Sequence, residues 1–313
     1  MVLYLALALV MVPGTVWAGY DPDPVGYVQE ADGDVVAINQ DRLVKRWNHQ
    51  EECRALAKGD PVFIGDLLVT GNDSRTQIML LDGALLVLGQ ESQVSLNEFV
   101  YDYEFDGENR LSFDLGPGFF RYVSGGIVER NPLAFELDTP LGLIGIRGTE
   151  VLANNHGPDN PCGPMAAQLA ALFADPESMS MQQKHAAREV LAQQLPILRQ
   201  ALFGVSHETI AHIHGVANTP IYYTFDLTGQ WLALDIGYEI TVVRDQGPGS
   251  MTPVSEDTLR NGASSRPDWN LEVPGPLRST QGGADSTGSS GHGGNFRSLG
   301  DPPSSGRGST QHP

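Results

Sequence analysis

Phe135-Glu136-Leu137-Asp138-Thr139-Pro140-Leu141-Gly142-Leu143-Ile144-Gly145-Ile146-Arg147-Gly148-Thr149-Glu150-Val151-Leu152-Ala153 is the stretch whose reading decides the fold. Phe135 and Leu137 alternate with Glu136 and Asp138, the period of a strand with one face in a core and the other in water. Pro140 stops that strand. A second apolar run, Leu143, Ile144 and Ile146, passes through Gly142, Gly145 and Gly148, so the stretch reads as two short strands meeting at a stiff corner. One cation, Arg147, sits in that corner. Buried, its guanidinium needs several acceptors, such as turn carbonyls, Asp138 or Glu150. Exposed, its fork grips a carboxylate or phosphate, with Thr149 as a second candidate binding residue. The structural role is the expected one.

Upstream of the corner, strand signals recur. Val25 to Ala31 turns at Asp32-Gly33 into Val35 to Asn39, an arrangement that suits a two-residue hairpin. Thr76 to Leu81 leads through Asp82-Gly83 into Leu85 to Leu88, the clearest hairpin signal in the chain. Val94, Leu96 and Val100 alternate with polar residues, and Leu111 to Leu115 and Phe119 to Val123 follow across Gly116-Pro117-Gly118. Apolar runs of this length, broken by turn residues about every eight to twelve positions, predict a mainly β body: a sandwich or a short solenoid of strands.

Downstream the pattern changes at Asn154. Ser180 with Gln183 can cap a helix, and Leu191, Leu195, Leu198 and Leu202 form one apolar stripe, with Pro196 kinking the helix or starting another. Burial against the β body is the expected fate of that stripe. Strand character returns at Ile221 to Phe225, Trp231 to Leu234 and Glu239 to Val243. The expected organisation is therefore a leader over 1–18, a β domain over 19–155, a helical insertion over 156–218 and returning strands of the same domain over 219–245. Residues 246–313, rich in Gly, Ser and Pro, form a disordered tail.

The 313 residues are 41% hydrophobic and carry a formal net charge of -19, from 38 acidic against 19 basic side chains. Such acidity excludes nucleic acid and anionic lipid as electrostatic partners and keeps an exported chain soluble. Residues 1–18 are almost wholly apolar and end in Val16-Trp17-Ala18, a small-residue cleavage site, so export to the periplasm or beyond is expected. No later window approaches the length of a membrane span. Cys53 and Cys162 are either one disulfide, closing a loop of about 110 residues, or two independent thiols.

Candidate chemistry is sparse. His207 and His212 in His-Glu-Thr-Ile-Ala-His are five apart, about 140° around a helix, so they miss the shared face that a zinc peptidase motif requires. His212 and His214 converge on a metal only if the chain is extended there. Asp102, Glu104, Asp106 and Glu108 alternate in an acidic tip that either surrounds a cation or is a solvated strand face, the second being expected. Neither a nucleophile elbow nor a phosphate-cradling glycine loop is present, and no cofactor is implied.

In order and spacing, Gly59-Asp60, Gly65 to Gly71, Asp82 to Gly89, Gly116 to Tyr122, Asp138-Thr139-Pro140 and Ile144 to Thr149 resemble the FecR domain over about Val25 to Ala153. That resemblance implies a periplasmic, all-β domain. The best-understood members relay occupancy of an outer-membrane iron-siderophore receptor, through one transmembrane helix, to a cytoplasmic regulator of a sigma factor. Here an export leader stands where those members carry a cytoplasmic domain. The expected function is a non-catalytic envelope module for binding or signal relay, with an envelope protein or glycan as partner. The competing reading is an envelope hydrolase or metal-dependent enzyme built on the His207–His214 region.

Overall fold

The computed structural model describes residues 23–39, 53–102, 109–216, 219–225 and 231–262. The leader and everything beyond Gly262 lie outside the described residues. In chain order the first strands are β1 (Gly26–Asp32), β2 (Val35–Asn39), β3 (Cys53–Ala55), β4 (Pro61–Val62), β5 (Asp66–Thr70), β6 (Arg75–Leu80) and β7 (Leu85–Leu88). Next come β8 (Gln93–Val100), β9 (Arg110–Leu115), β10 (Gly118–Val123), β11 (Phe135–Thr139), β12 (Gly142–Gly145) and β13 (Thr149–His156). The last are β14 (His207–Gly215), β15 (Ile221–Phe225), β16 (Trp231–Leu234), β17 (Tyr238–Val243), β18 (Gly247–Pro248) and β19 (Thr252–Pro253).

These strands form two sheets. Sheet A runs β18-β17-β14-β13-β10-β7-β6-β1-β4, with β19 alongside β17, and sheet B runs β16-β15-β12-β11-β9-β8-β5-β2-β3. The chain adds strands alternately to one sheet and the other, so both lengthen in the same direction, as in a solenoid, while packing face to face as a sandwich. Every pair is antiparallel except β9 with β11. Alternation in each strand supplies the common core: Ile78, Leu86, Tyr122, Val151 and Ile210 from sheet A meet Leu68, Phe113, Leu137, Ile144 and Tyr223 from sheet B. Within it the Tyr122 and Phe135 rings stack with centroids 4.9 Å apart, and the edge of Phe113 meets Tyr122 at 5.8 Å. Such pairs add directional preference to area burial.

The hairpin at Asp82-Gly83 is made as expected, with a turn in which Gly83 N–H donates to Leu80 O and Leu80 N–H to Ala84 O. The buried Asp82 carboxylate accepts from Ala84 N and Ile127 N, tying this turn to the short helix α1 (Gly126–Arg130). Burial pushes the Asp82 carboxyl up from its usual range, and burial followed by the Asp82 charge pushes the Tyr122 phenol well above 10. The Asp32-Gly33 turn differs from expectation: β1 pairs within sheet A and β2 within sheet B, so this glycine turns the chain between sheets and closes no hairpin.

The helices are α2 (Cys162–Leu172) and α3 (Met181–Gly204), the second opened by a capping box between Ser180 and Gln183 and running through Pro196. They pack on the outer face of sheet B: Val36, Ile38, Leu67 and Val69 meet Ala166, Leu169, Leu191, Leu195 and Leu198. The helical segment is shorter than the expected 156–218. It ends at Gly204, and His207–Gly215 is a strand paired along its length with β13, starting at His156↔His207. The expected tail also begins later than residue 246, because β18, β19 and the helix α4 (Glu256–Gly262) follow β17.

Candidate functional site

The corner built by residues 146–148 carries the chain from β12 in sheet B to β13 in sheet A. Gly148 turns it with φ +65, the left-handed region that a residue without a side chain enters at least cost. Arg147 is exposed, and among the described residues it makes no hydrogen bond or ion pair. The expected structural role is therefore not filled. Glu150, one of its expected partners, lies 2.8 Å from Arg121 Nε instead, close enough for an ion pair although that N–H does not point along it. Thr149 is buried beneath the corner.

The extended chain of β14 brings two further candidates to the same end. Thr149 pairs with Gly215, Glu150 with His214 and Val151 with His212, and a bulge at Ile213 separates the last two rows. A bulge breaks the two-residue parity of a strand. His212 therefore faces the core, wholly buried, while His214 is exposed on the other side, and the two do not converge on a metal. His212 Nδ1 lies 3.0 Å from Leu234 O of β16, which fixes it as the protonated nitrogen and ties sheet A to sheet B. Burial holds its pKa below the ordinary value. A β-carbon built on Gly215 would stand 3.0 Å from both His212 Nε2 and Thr149 Cγ2, so these two side chains support the corner from below. Neither His212 Nε2 nor Thr149 Oγ1 has a hydrogen-bond partner among the described residues.

His207, at the far end of β14, faces outward and stacks on His156 with ring centroids 5.0 Å apart. It and His212 thus lie on opposite faces of the strand and do not converge. Among the described residues no group of three or more His, Cys, Asp and Glu is placed to hold a metal ion. Asp102 lies just past β8, its N–H donating to Asn109 Oδ1; Glu104, Asp106 and Glu108 lie outside the described residues. Cys53 and Cys162 are buried thiols not joined by a disulfide, although both belong to the apolar cluster under the helices. Burial, then the nearby Glu91, pushes the Cys162 thiol up to about 12.

Sequence reasoning missed Glu208. Once His207–Gly215 is a strand, Glu208, Ile210 and His212 share its inner face, and the Glu208 carboxylate is wholly buried. Its Oε1 accepts from Tyr223 OH at 2.5 Å and from Thr139 Oγ1 at 2.8 Å, linking the sheets as His212 does nearer the corner. The signal available was the alternation Glu-Thr-Ile-Ala-His, masked by its resemblance to a helical metal motif.

The corner borders the outer face of β12, β15 and β16. Leu143, Thr224 and Trp231 stand in one cross-strand row and Gly145, Tyr222 and Ala233 in another. Tyr222 is 40% and Trp231 46% exposed, large values for aromatic rings on a sheet, and the Trp231 ring reaches over Gly145. Adjoining them is a groove of about 640 Å³ lined by Glu98, Arg110, Leu133, Glu136 and Leu143. One continuous surface therefore carries a shallow groove, two aromatic rings and an unpartnered guanidinium. It can hold an extended or glycan-like ligand by stacking and grip a carboxylate at its end.

A face-to-face sandwich with progressive strand addition, and helices over part of one outer face, defines a mainly β domain. More particularly, residues 66–160 match the family model described as FecR protein, so the chain carries a FecR domain. Among solved structures, two crystal structures of a candidate anti-sigma factor from Parabacteroides distasonis are similar. One aligns at 10% identity with a TM-score of 0.36, over 63% of this chain and 62% of that one. The other aligns at 9% identity with a TM-score of 0.35, over 63% of each. The alignment thus spans less than two thirds of those chains. No curated protein matches. No helix among the described residues is long and apolar enough to cross a membrane.

Proposed function

We propose that this protein is a non-catalytic module of the cell envelope that binds another envelope component, a protein in the first instance, and relays or stabilises its state. The FecR domain over 66–160 supports a regulatory role in place of an enzymatic one. The observation that carries the reading is the exposed surface from the groove beside Leu143, across Tyr222 and Trp231, to Arg147. In a chain of net charge -19, an exposed arginine without an acidic neighbour is well suited to a carboxylate on a partner. Buried anchors of aromatic and arginine type dominate most protein interfaces.

The test uses the full chain in intact cells, cross-linked chemically and resolved by mass. An adduct with an envelope protein that weakens at least about tenfold on Arg147→Glu or Trp231→Ala supports the reading. An adduct indifferent to both substitutions moves the interface elsewhere, and recovery of the chain only as a single species overturns it.

A further inference from the structure

A glycine inside a strand packs nothing and weakens it, so its presence there has a cause. β12 carries two, and the causes differ. Gly142 is required by its neighbours: a β-carbon there would collide with Thr224 O and the Tyr223 phenol of the adjacent strand. Gly145 is required by neither space nor backbone. Its φ lies outside the left-handed region, and a β-carbon would meet nothing closer than Tyr222 O at 3.8 Å. The fold leaves room above Gly145 that its own packing does not use.

What flanks that room is specific. Tyr222 pairs with Gly145 across the ladder, its Cβ 3.9 Å from the β-carbon position, and the Trp231 ring leans over from β16 until Cζ3 is 4.0 Å from it. On the other side, one further step in the β11–β12 register beyond Leu137↔Ile144 sets Glu136 opposite Gly145, about 4.8 Å away in the sheet. Glu136 faces outward between buried Phe135 and Leu137, is exposed, and makes no hydrogen bond or ion pair among the described residues. A slot results, with a glycine floor, two exposed aromatic residues on one flank and a carboxylate on the other.

We propose that this slot takes a cationic side chain, the ammonium of a lysine or the guanidinium of an arginine, from an extended segment of the partner protein. The ring faces attract a cation and Glu136 neutralises it, whereas an acidic or neutral side chain gains neither. Arg147 follows two residues after Gly145, about 7 Å along an extended chain, and holds the partner's carboxylate. The matching segment therefore carries a base and an acid two residues apart, the spacing that puts both side chains on one face of a strand. This inference rests on the binding reading above and names the partner's chemistry.

The probes are two capped pentapeptides that differ only in the cation, acetyl-Gly-Arg-Gly-Glu-Gly-amide and the same peptide with glutamine for arginine. Each is titrated at low salt into the full chain, and the Tyr222 and Trp231 ring signals are followed by NMR. The arginine peptide should shift both rings and bind at least about threefold more tightly than the glutamine peptide. Gly145→Leu, which fills the slot without a clash, and Glu136→Gln, which removes its charge, should each abolish that difference. Equal affinity for the two peptides, or a preference that survives both substitutions, overturns the proposal. In the cross-linking experiment, an envelope adduct weakened by Trp231→Ala but indifferent to Gly145→Leu and Glu136→Gln overturns this inference and leaves the binding reading standing. Recovery of the chain only as a single species overturns both.

Discussion

The outer face of sheet B is treated in two ways along its length. At β2, β3 and β5 it is apolar and covered, with Val36, Ile38, Leu67 and Val69 beneath the stripe of α3. At β12, β15 and β16 it carries Leu143, Tyr222 and Trp231, and no described helix lies over them. The difference is written in strand pattern. β2 and β5 are buried at every position, whereas β15 alternates between buried Ile221, Tyr223 and Phe225 and more exposed Tyr222 and Thr224. A strand apolar on both faces needs two covers, and the chain supplies the second with its own helices. A strand alternating apolar with aromatic needs one, and its wet face is left for something else.

The contrast predicts unequal costs. Leu191→Ala, in the covered half, should destabilise by about 2 to 5 kcal/mol, the usual range for a buried leucine truncated in a packed core. Chemical denaturation should read this as a lower midpoint with an unchanged slope; a shift no larger than that of a surface substitution would mean that α3 does not pack there. Next, Arg54→Ala should cost about 3 kcal/mol, because Asp66 is wholly buried and loses its ion partner while keeping bonds from Asn39 and Phe63. Arg110→Ala, in the exposed Arg110–Glu98 pair at 3.5 Å on the uncovered half, should cost at most about 0.5 kcal/mol.

A pH effect should follow from the imidazoles. His212 and His156 both have pKa values lowered first by burial, so the unfolded chain binds more protons than the folded one once the pH drops below about 6.5. Their contribution is therefore complete above that pH and is lost as the pH falls towards the lowered folded-state values. Thermal melts between pH 7 and 5 should show a falling midpoint, and His212→Asn, which can still donate to Leu234 O, should flatten the fall. Effects on the uncovered face itself should also be small: Tyr222→Ala, Trp231→Ala and Arg147→Ala should each change stability by less than about 1 kcal/mol.

Much of this fold is legible in sequence. The Asp82-Gly83 hairpin, the Ser180 cap and the leucine stripe of α3 are local patterns set by turn chemistry and periodicity. What escaped depends on contacts between distant segments. Asp32-Gly33 looks like a hairpin turn because nothing local says that its two strands join different sheets. His207–Gly215 carries Glu, Ala and three His in an order that mimics a helical motif, and only its pairing with β13 shows it to be a strand. Glu208 is buried because Thr139, 69 residues away, and Tyr223, 15 residues away, come to meet it. The bulge at Ile213 that parts His212 from His214 leaves no mark in the sequence, and the exposure of Arg147 follows from a corner turned outward by Gly148.

Hydroxyl-radical footprinting of the full chain, in intact cells and after purification, tests the central contrast whatever the identity of the partner. Tyr222 and Trp231 should be labelled less in the envelope than in the purified protein, while Phe203 and Met181, exposed on the helical half, should be labelled equally in both. Equal labelling of Tyr222 and Trp231 in the two settings, with protection appearing at Phe203 and Met181 instead, would contradict the account and place the interface on the helices.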